Sequence, residues 1–254
     1  MATTATDSDG ATPRDAFESS GPGSALMGRA AVLIWNDVAP EGRAQFYAWH
    51  DHEHIPERLS LPGFLRGRRY IRRGHSPEWL TMYEAVDISA LVSPEYFARL
   101  NTPTPATQRT LAFFRNTSRA VCRLVHSVGS SSGGHVLAMR IGVDAARADA
   151  MCAYLREYAF PSAIDDAAAL ACHLYAADSS ASYVNTAESS TRAFDVPAWV
   201  LLCEASTPDT AERARDLIAT KEFDRLGVDV REDDAVYALE ICRIASAAVA
   251  PLGT

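Results

Sequence analysis

The stretches AWHDHEHIP at residues 48–56 and AYLREYAFP at residues 153–161 decide how this chain is read. Set 105 residues apart, they bring Ala48 onto Ala153, Trp49 onto Tyr154, Ile55 onto Phe160 and Pro56 onto Pro161. The same offset brings Val38 onto Val143 and Tyr70 onto Tyr175. Further on the offset becomes 120: Trp79 meets Trp199, Glu84 meets Glu204, and Cys122-Arg123 meets Cys242-Arg243. The identities are few, but they keep their order and need one insertion, of 15 residues, within DSSASYVNTAESSTRAFD. A chain that repeats itself at such a spacing reads as two copies of one supersecondary unit.

Each copy carries the same pattern of apolar runs. In the first, residues 30–38 predict a strand and 40–55 a helix stopped by Pro56, whose ring and missing N–H interrupt the ladder. Residues 64–73 and 79–87 predict strands, 93–100 a helix that resumes over 105–115, and 118–126 a last strand. The second copy predicts elements at 135–142, 144–158, 168–176, 198–206, 208–221 and 235–244. The order in both is β-α-β-β-α-β, the split βαβ unit. The expected organisation is a disordered tail over 1–28, a first unit over 29–126, a Gly/Ser linker over 127–134 (SVGSSSGG), and a second unit over 135–247. The fold class is α+β, with two tandem ferredoxin-like units. Helices cover one face of each sheet, so the two bare faces meet and form an intramolecular barrel.

The run Trp49-x-Asp51-x-Glu53-His54-x-Pro56-Glu57, followed by Pro62-Gly63-Phe64 and Arg68-Arg69-Tyr70, resembles the dimeric α+β barrel superfamily, and within it the EthD-like branch. The likeness is strongest over 30–125 and architectural over 135–245, where the Glu-His pair is absent. It implies a pocket between helices and sheet in each unit. The superfamily includes cofactor-free monooxygenases, isomerases, decarboxylases, dehydratases and haem enzymes, so it narrows the fold more than the reaction.

At 100° per residue, Phe46, Trp49, His50 and Glu53 share the inward helical stripe, with His54 at its flank and Asp51 and His52 outside. The same stripe in the second copy reads Met151, Tyr154, Leu155 and Tyr158. His50 therefore faces Leu155 across the repeat, Glu53 faces Tyr158, and Asn36 faces Ile141. Ionisable groups aimed at a core need partners or a wet cavity, so the first unit is expected to be active and the second structural. The candidate catalytic groups are His54 and His50, as general base or acid near neutral pH, with Glu53 orienting an imidazole. Asn36, Trp49, Arg68, Tyr70 and Tyr83 are the candidate substrate contacts, holding a developing enolate or phenolate. The expected chemistry is proton transfer on an apolar aromatic or polyketide-like carbonyl compound, by a lyase, decarboxylase, dehydratase or isomerase. Cofactor-independent oxygenation and a non-catalytic ligand-binding module are the alternatives.

With 48% hydrophobic and 22% charged residues, the composition is that of a globular protein rather than a disordered or membrane-embedded one. No apolar run approaches a membrane span, and the N-terminus lacks the basic start and apolar core of a secretory signal. Five cysteines without a CxxC pair suggest reduced thiols and a cytoplasmic location. The net charge of −8 is concentrated in the second copy, and the basic group Arg66, Arg68, Arg69, Arg72 and Arg73 accompanies no nucleic-acid motif. That group reads as an edge-strand guard or as an anchor for an acidic substrate. No tightly bound cofactor is expected. A metal shared by His50 and His54, or a haem on either histidine, is the minor alternative. The fused pair closes its own barrel, so monomer and homodimer both remain open.

Overall fold

The computed structural model describes residues 24–191, 195–232 and 234–246. In the first half, β1 (Ala30–Val38) leads into α1 (Arg43–Trp49), a π-helical turn (His50–His54) and α2 (Ile55–Leu59). Strands β2 (Phe64–Ile71) and β3 (Trp79–Ala85), helices α3 (Pro94–Asn101) and α4 (Pro105–Leu111), and strand β4 (Phe114–Gly129) follow. In the second half, β5 (His135–Gly142) leads into α5 (Ala148–Tyr154), a second π-helical turn (Leu155–Ala159) and α6 (Phe160–Asp165). Then come β6 (Ala171–Ala177), the short α7 (Ser179–Ser182), β7 (Trp199–Ala205), α8 (Pro208–Ile218), α9 (Lys221–Leu226), β8 (Asp229–Val230) and β9 (Ala235–Ile244).

Among the described residues the named strands pair antiparallel throughout, and a single isolated bridge, Ser118 to Asp195, is parallel. The first half has the order β4-β1-β3-β2 and the second β6-β7-β5-β9. The outer strands join across the halves, β2 to β9 and β4 to β6, and so close an eight-stranded barrel, with β8 lying against the end of β5. A closed sheet has no free edge. The Arg66–Arg73 group is therefore not an edge guard, because β2 is paired on both sides.

Alternation along each strand sends one set of side chains into the barrel and the other under the helices. Leu33, Trp35, Tyr70, Leu80, Met82, Tyr175, Leu202 and Tyr237 fill the interior. Within it Arg68 bridges Glu84 (3.0 Å) and Glu204 (2.5 Å), so a guanidinium of one half lies between buried carboxylates of both. Outside the barrel, the second half has one continuous core under its helices, including Met139, Ile141, Leu155, Phe160, Leu201 and Cys203. In the first half the corresponding core is divided. One part holds Ile55, Phe64, Tyr83 and Tyr96, the other Phe46, Trp49, Trp79 and Phe114.

Three expectations change. The first helix does not stop at Pro56 but runs through it to Leu59. In the π turn the Ile55 N–H bonds the His50 carbonyl, an i→i+5 closure, which loosens the ladder where proline has no N–H to give. The same device recurs at Phe160 and Leu155, just before Pro161. The linker expected at 127–134 begins as strand, since Ser127–Gly129 pair with Ala171–His173. The tail expected over 1–28 lies mostly outside the described residues, but its last part is packed. Leu26 is buried with the barrel interior, and the Met27 N–H donates to Glu84 at 2.8 Å. A buried carboxylate needs such donors.

Candidate active site

The pocket lies where the first-half core divides. Its floor is the outward face of β1, β3 and β4, with Ile34, Asn36, Thr81, Tyr83, Phe114 and Arg119. Its roof is the α1–π–α2 segment, which presents Phe46, Trp49, His50, His54 and Arg58. Tyr96 and Leu100 of α3, Leu111 of α4, and Glu188 complete the wall. Glu188 comes from the insertion between β6 and β7, so the second half contributes a side chain to the first half's pocket. The space open to the centre of a water-sized sphere is about 40 Å³, enough for roughly three waters.

The π turn sets which side chains face inward. Widening one turn retards the phase of all later residues, so His54 comes round to the sheet and Glu53 rotates away. His50 and His54 are both buried, with ring centroids 5.7 Å apart, and the His54 ring lies against Trp49 at 4.2 Å, tilted by 34°. In the second half the same turn buries Leu155 and Ala159 and leaves Tyr158 65% exposed. The expected inward stripe is thus corrected at one position in each half: Glu53 and Tyr158 lie off it.

His50 is held at both ring nitrogens. Arg69 Nη1 lies 3.0 Å from Nδ1, and Tyr83 Oη lies 3.3 Å from Nε2. A guanidinium only donates, so Nδ1 accepts and the ring proton sits on Nε2. Burial, then Arg69 and Arg58, hold the His50 pKa well below the ordinary histidine value. His50 is therefore a neutral imidazole whose lone pair is already engaged. Arg69 is itself anchored by Asp51 (2.5 Å) and Glu240 (2.9 Å).

His54 has a different setting. Its Nδ1 lies 3.9 Å from Glu57 Oε2, and its ring faces the cavity. Arg58, one turn on, is 2% exposed and donates to Glu188 Oε1 at 2.5 Å, while its Nη1 has no hydrogen-bond partner. Burial pushes the Tyr83 phenol upward, so it is a neutral O–H at any physiological pH. Asn36 lines the floor, its amide donating weakly to the Asp37 carbonyl at 3.3 Å. Trp49 Nε1 donates to Thr107 Oγ1 at 3.0 Å, which fixes the indole against the roof.

Of the expected site residues, His54, His50, Asn36, Trp49 and Tyr83 come together here. Glu53 does not reach the pocket, and its carboxylate accepts from the Thr104 hydroxyl. Arg68 and Tyr70 do share a strand face, but it is the barrel-interior face, on the far side of the sheet. Alternation gave their common direction without giving which face that was. Arg58, Tyr96, Thr81, Arg119 and Glu188 were missed. Arg58 had a signal, at i+4 from His54 on the same stripe. Glu188 had none, because its approach depends on the barrel closing.

Among the described residues no group of three or more His, Cys, Asp or Glu is placed to hold a metal ion. With Glu188 paired to Arg58, the space beside His54 is smaller than either a macrocycle or an aryl ring. Among the described residues, no helix is long and apolar enough to cross a membrane.

No protein-family model and no curated protein matches this sequence. Solved structures do. An anthrone oxidase-like protein superposes with a TM-score of 0.55 at 12% identity, covering 90% of this chain and 98% of its own. A mutant chlorite dismutase from Candidatus Nitrospira defluvii, solved with cyanide, gives 0.51 at 12% identity, covering 84% and 90%. A monooxygenase-like protein from Fusobacterium nucleatum gives 0.50 at 9% identity, covering 87% and 95%. These neighbours belong to the dimeric α+β barrel superfamily, and the α+β barrel is the fold this chain shares with them.

Proposed function

We propose that the chain is a small-molecule enzyme whose reaction begins with proton abstraction from an aryl carbonyl compound in the first-half pocket. One observation carries this reading. The outward core is continuous in the second half and interrupted by polar groups in the first. With the two π turns superposed, Asn36, His50, His54 and Arg58 stand where the second half has Ile141, Leu155, Ala159 and Ala163. With β3 laid on β7, Thr81 and Tyr83 stand where it has Leu201 and Cys203. Three of the six replace a large apolar side chain, Ile141, Leu155 or Leu201, whose burial is worth about 1.5–3 kcal/mol each, a sacrifice that packing alone does not explain.

In this reading His54 is the base and Glu57 stabilises the imidazolium that forms. Trp49, Phe46 and Phe114 hold the aromatic ring, and Tyr83 and Asn36 donate to the oxygen that gains charge. His50 positions Tyr83 rather than accepting a proton. The two halves are read as tandem ferredoxin-like units, 29–126 active and 135–247 structural, and the 49–57 run supports EthD-like kinship. Cofactor-free oxygenation is the second reading, favoured by the anthrone oxidase-like and monooxygenase-like neighbours. There the same deprotonation would yield a carbanion for dioxygen.

The experiment is deuterium exchange at the acidic carbon of benzoylacetate, an aryl ketone that carries a carboxylate, in D2O, followed by NMR. Enzyme-dependent exchange is expected in the wild type, reduced about 100-fold or more in His54→Ala and retained within about tenfold in His50→Gln. Equal exchange in wild type and His54→Ala rejects the proposal.

A further inference from the structure

We infer that Arg58 is an anion subsite, that the Glu188 carboxylate occupies it as an internal stand-in, and that the substrate carries an anionic group, a carboxylate, which takes Glu188's place. The inference rests on the proposed reading of the pocket and extends it to the charge of what binds there.

Arg58 is 2% exposed and lines the pocket, and its Nη1 makes no hydrogen bond, with Glu57 Oε2 at ion-pair range, 3.7 Å. A guanidinium presents its donors in a planar fork suited to a two-oxygen acceptor. Glu188 meets that fork through Nη2 alone, at 2.5 Å. Nη1 thus keeps a donor capacity that no hydrogen bond uses. Arg119 lines the same pocket and has no ion pair among the described residues, its Nη2 reaching only the Tyr96 hydroxyl at 3.3 Å. The lining thus holds two guanidinium groups and one carboxylate. Glu57, 3.7 Å from Arg58 Nη1, is shared with His54 and Arg99 and is not among the side chains that line the cavity.

Size points the same way. About 40 Å³ cannot accept an aryl ring, whereas withdrawal of one Glu side chain opens the wall where the fork is exposed. The segment that carries Glu188 is held to α3 through backbone groups. The Glu188 N–H bonds the Leu100 carbonyl (3.2 Å), and the Ala187 N–H bonds Asn101 Oδ1 (3.0 Å). The backbone there is thus anchored independently of the Glu188 side chain. The aromatic walls and the two arginines together define an aromatic carboxylate as the fitting ligand class.

The test uses the full chain, with benzoate and its neutral isostere benzamide as probes, read by calorimetry and by thermal shift. Glu188→Gln should bind benzoate about tenfold more tightly than wild type, since the competing charge is gone. Without ligand, Glu188→Gln should melt lower, and benzoate should restore its melting point more than benzamide does. Arg58→Lys should lose most of the benzoate affinity. Benzoate bound no more tightly by Glu188→Gln than by wild type, or benzoate and benzamide giving the same response, overturns the inference. A His54→Ala background separates the two ideas. If benzoate binding and its Glu188 dependence persist there while exchange is absent even from the protein with His54 intact, the subsite stands and the proton-transfer reading falls.

Discussion

At the scale of single residues, two neighbouring histidines in one polar run have opposite characters. His50 is clamped by Arg69 and Tyr83 and kept neutral, whereas His54 faces the cavity beside Glu57. His50→Leu should destabilise the protein by about 1–3 kcal/mol, because it leaves the Arg69 donor and Tyr83 hydroxyl unmatched in a buried site. His50→Gln, which can accept and donate, should recover much of that loss in urea unfolding. His173 supplies the pH test. It is fully buried in the barrel with Nδ1 against Ser127 Oγ at 2.8 Å, and burial, then the Arg68 charge, lower its pKa from 6.5 to about 3. Below 6.5 the unfolded chain takes up a proton that the folded chain refuses until about pH 3. Stability is therefore lost as pH falls through that window, and the loss is absent above it. His50 acts in the same direction. His173→Gln should flatten the plot of unfolding free energy against pH between about 5.5 and 4, by about 1.4 kcal/mol per pH unit. An unchanged slope would show that His173 titrates alike in both states.

At the scale of elements, the π turn is the device that makes the site. Both halves have it at the same place, and both follow it with a proline two residues on. It turns His54 and Arg58 toward the sheet in the first half, and Ala159 and Ala163 in the second. Deleting the exposed His52 removes the extra residue without removing a packed side chain. The π turn then closes to an α turn, and the tightening advances the later residues by about as much as the deletion sets them back, so His54, Ile55, Arg58 and Leu59 should keep their directions. Circular dichroism melting and benzoate-induced thermal shift check this together, both expected near wild type. A loss of about 2–4 kcal/mol, as from misplaced core side chains, together with a lost ligand response, would show that the extra residue is not what the turn accommodates.

At the scale of the molecule, the halves are locked through the barrel interior. Arg68 reaches Glu84 in its own half and Glu204 in the other, and each carboxylate also takes a backbone N–H, from Met27 and Gly133 respectively. Arg68→Met should cost about 3–5 kcal/mol, since two buried carboxylates lose their counter-charge. Adding Glu84→Gln and Glu204→Gln should return part of that, because the uncompensated charges then disappear. If the triple variant is less stable than Arg68→Met alone, burial of charge is not the source of the loss.

The linear sequence determined the order and direction of nearly every element. Strands β1, β5 and β9 lie where the apolar alternation set them, and the 105-residue offset lays the segments of the two π turns on one another. It also determined that the first half is the polar one, since Asn36, His50 and Ile141, Leu155 can be compared by eye. Only the tertiary structure decided which sheet face Arg68 and Tyr70 point to, because alternation defines two faces without naming them. Only it decided that Glu53 yields its place to His54, because the usual helical period does not anticipate an i→i+5 turn. And only closure of the barrel brings Glu188 to Arg58 across 130 residues, a contact between side chains whose separation along the chain carries no periodic signal.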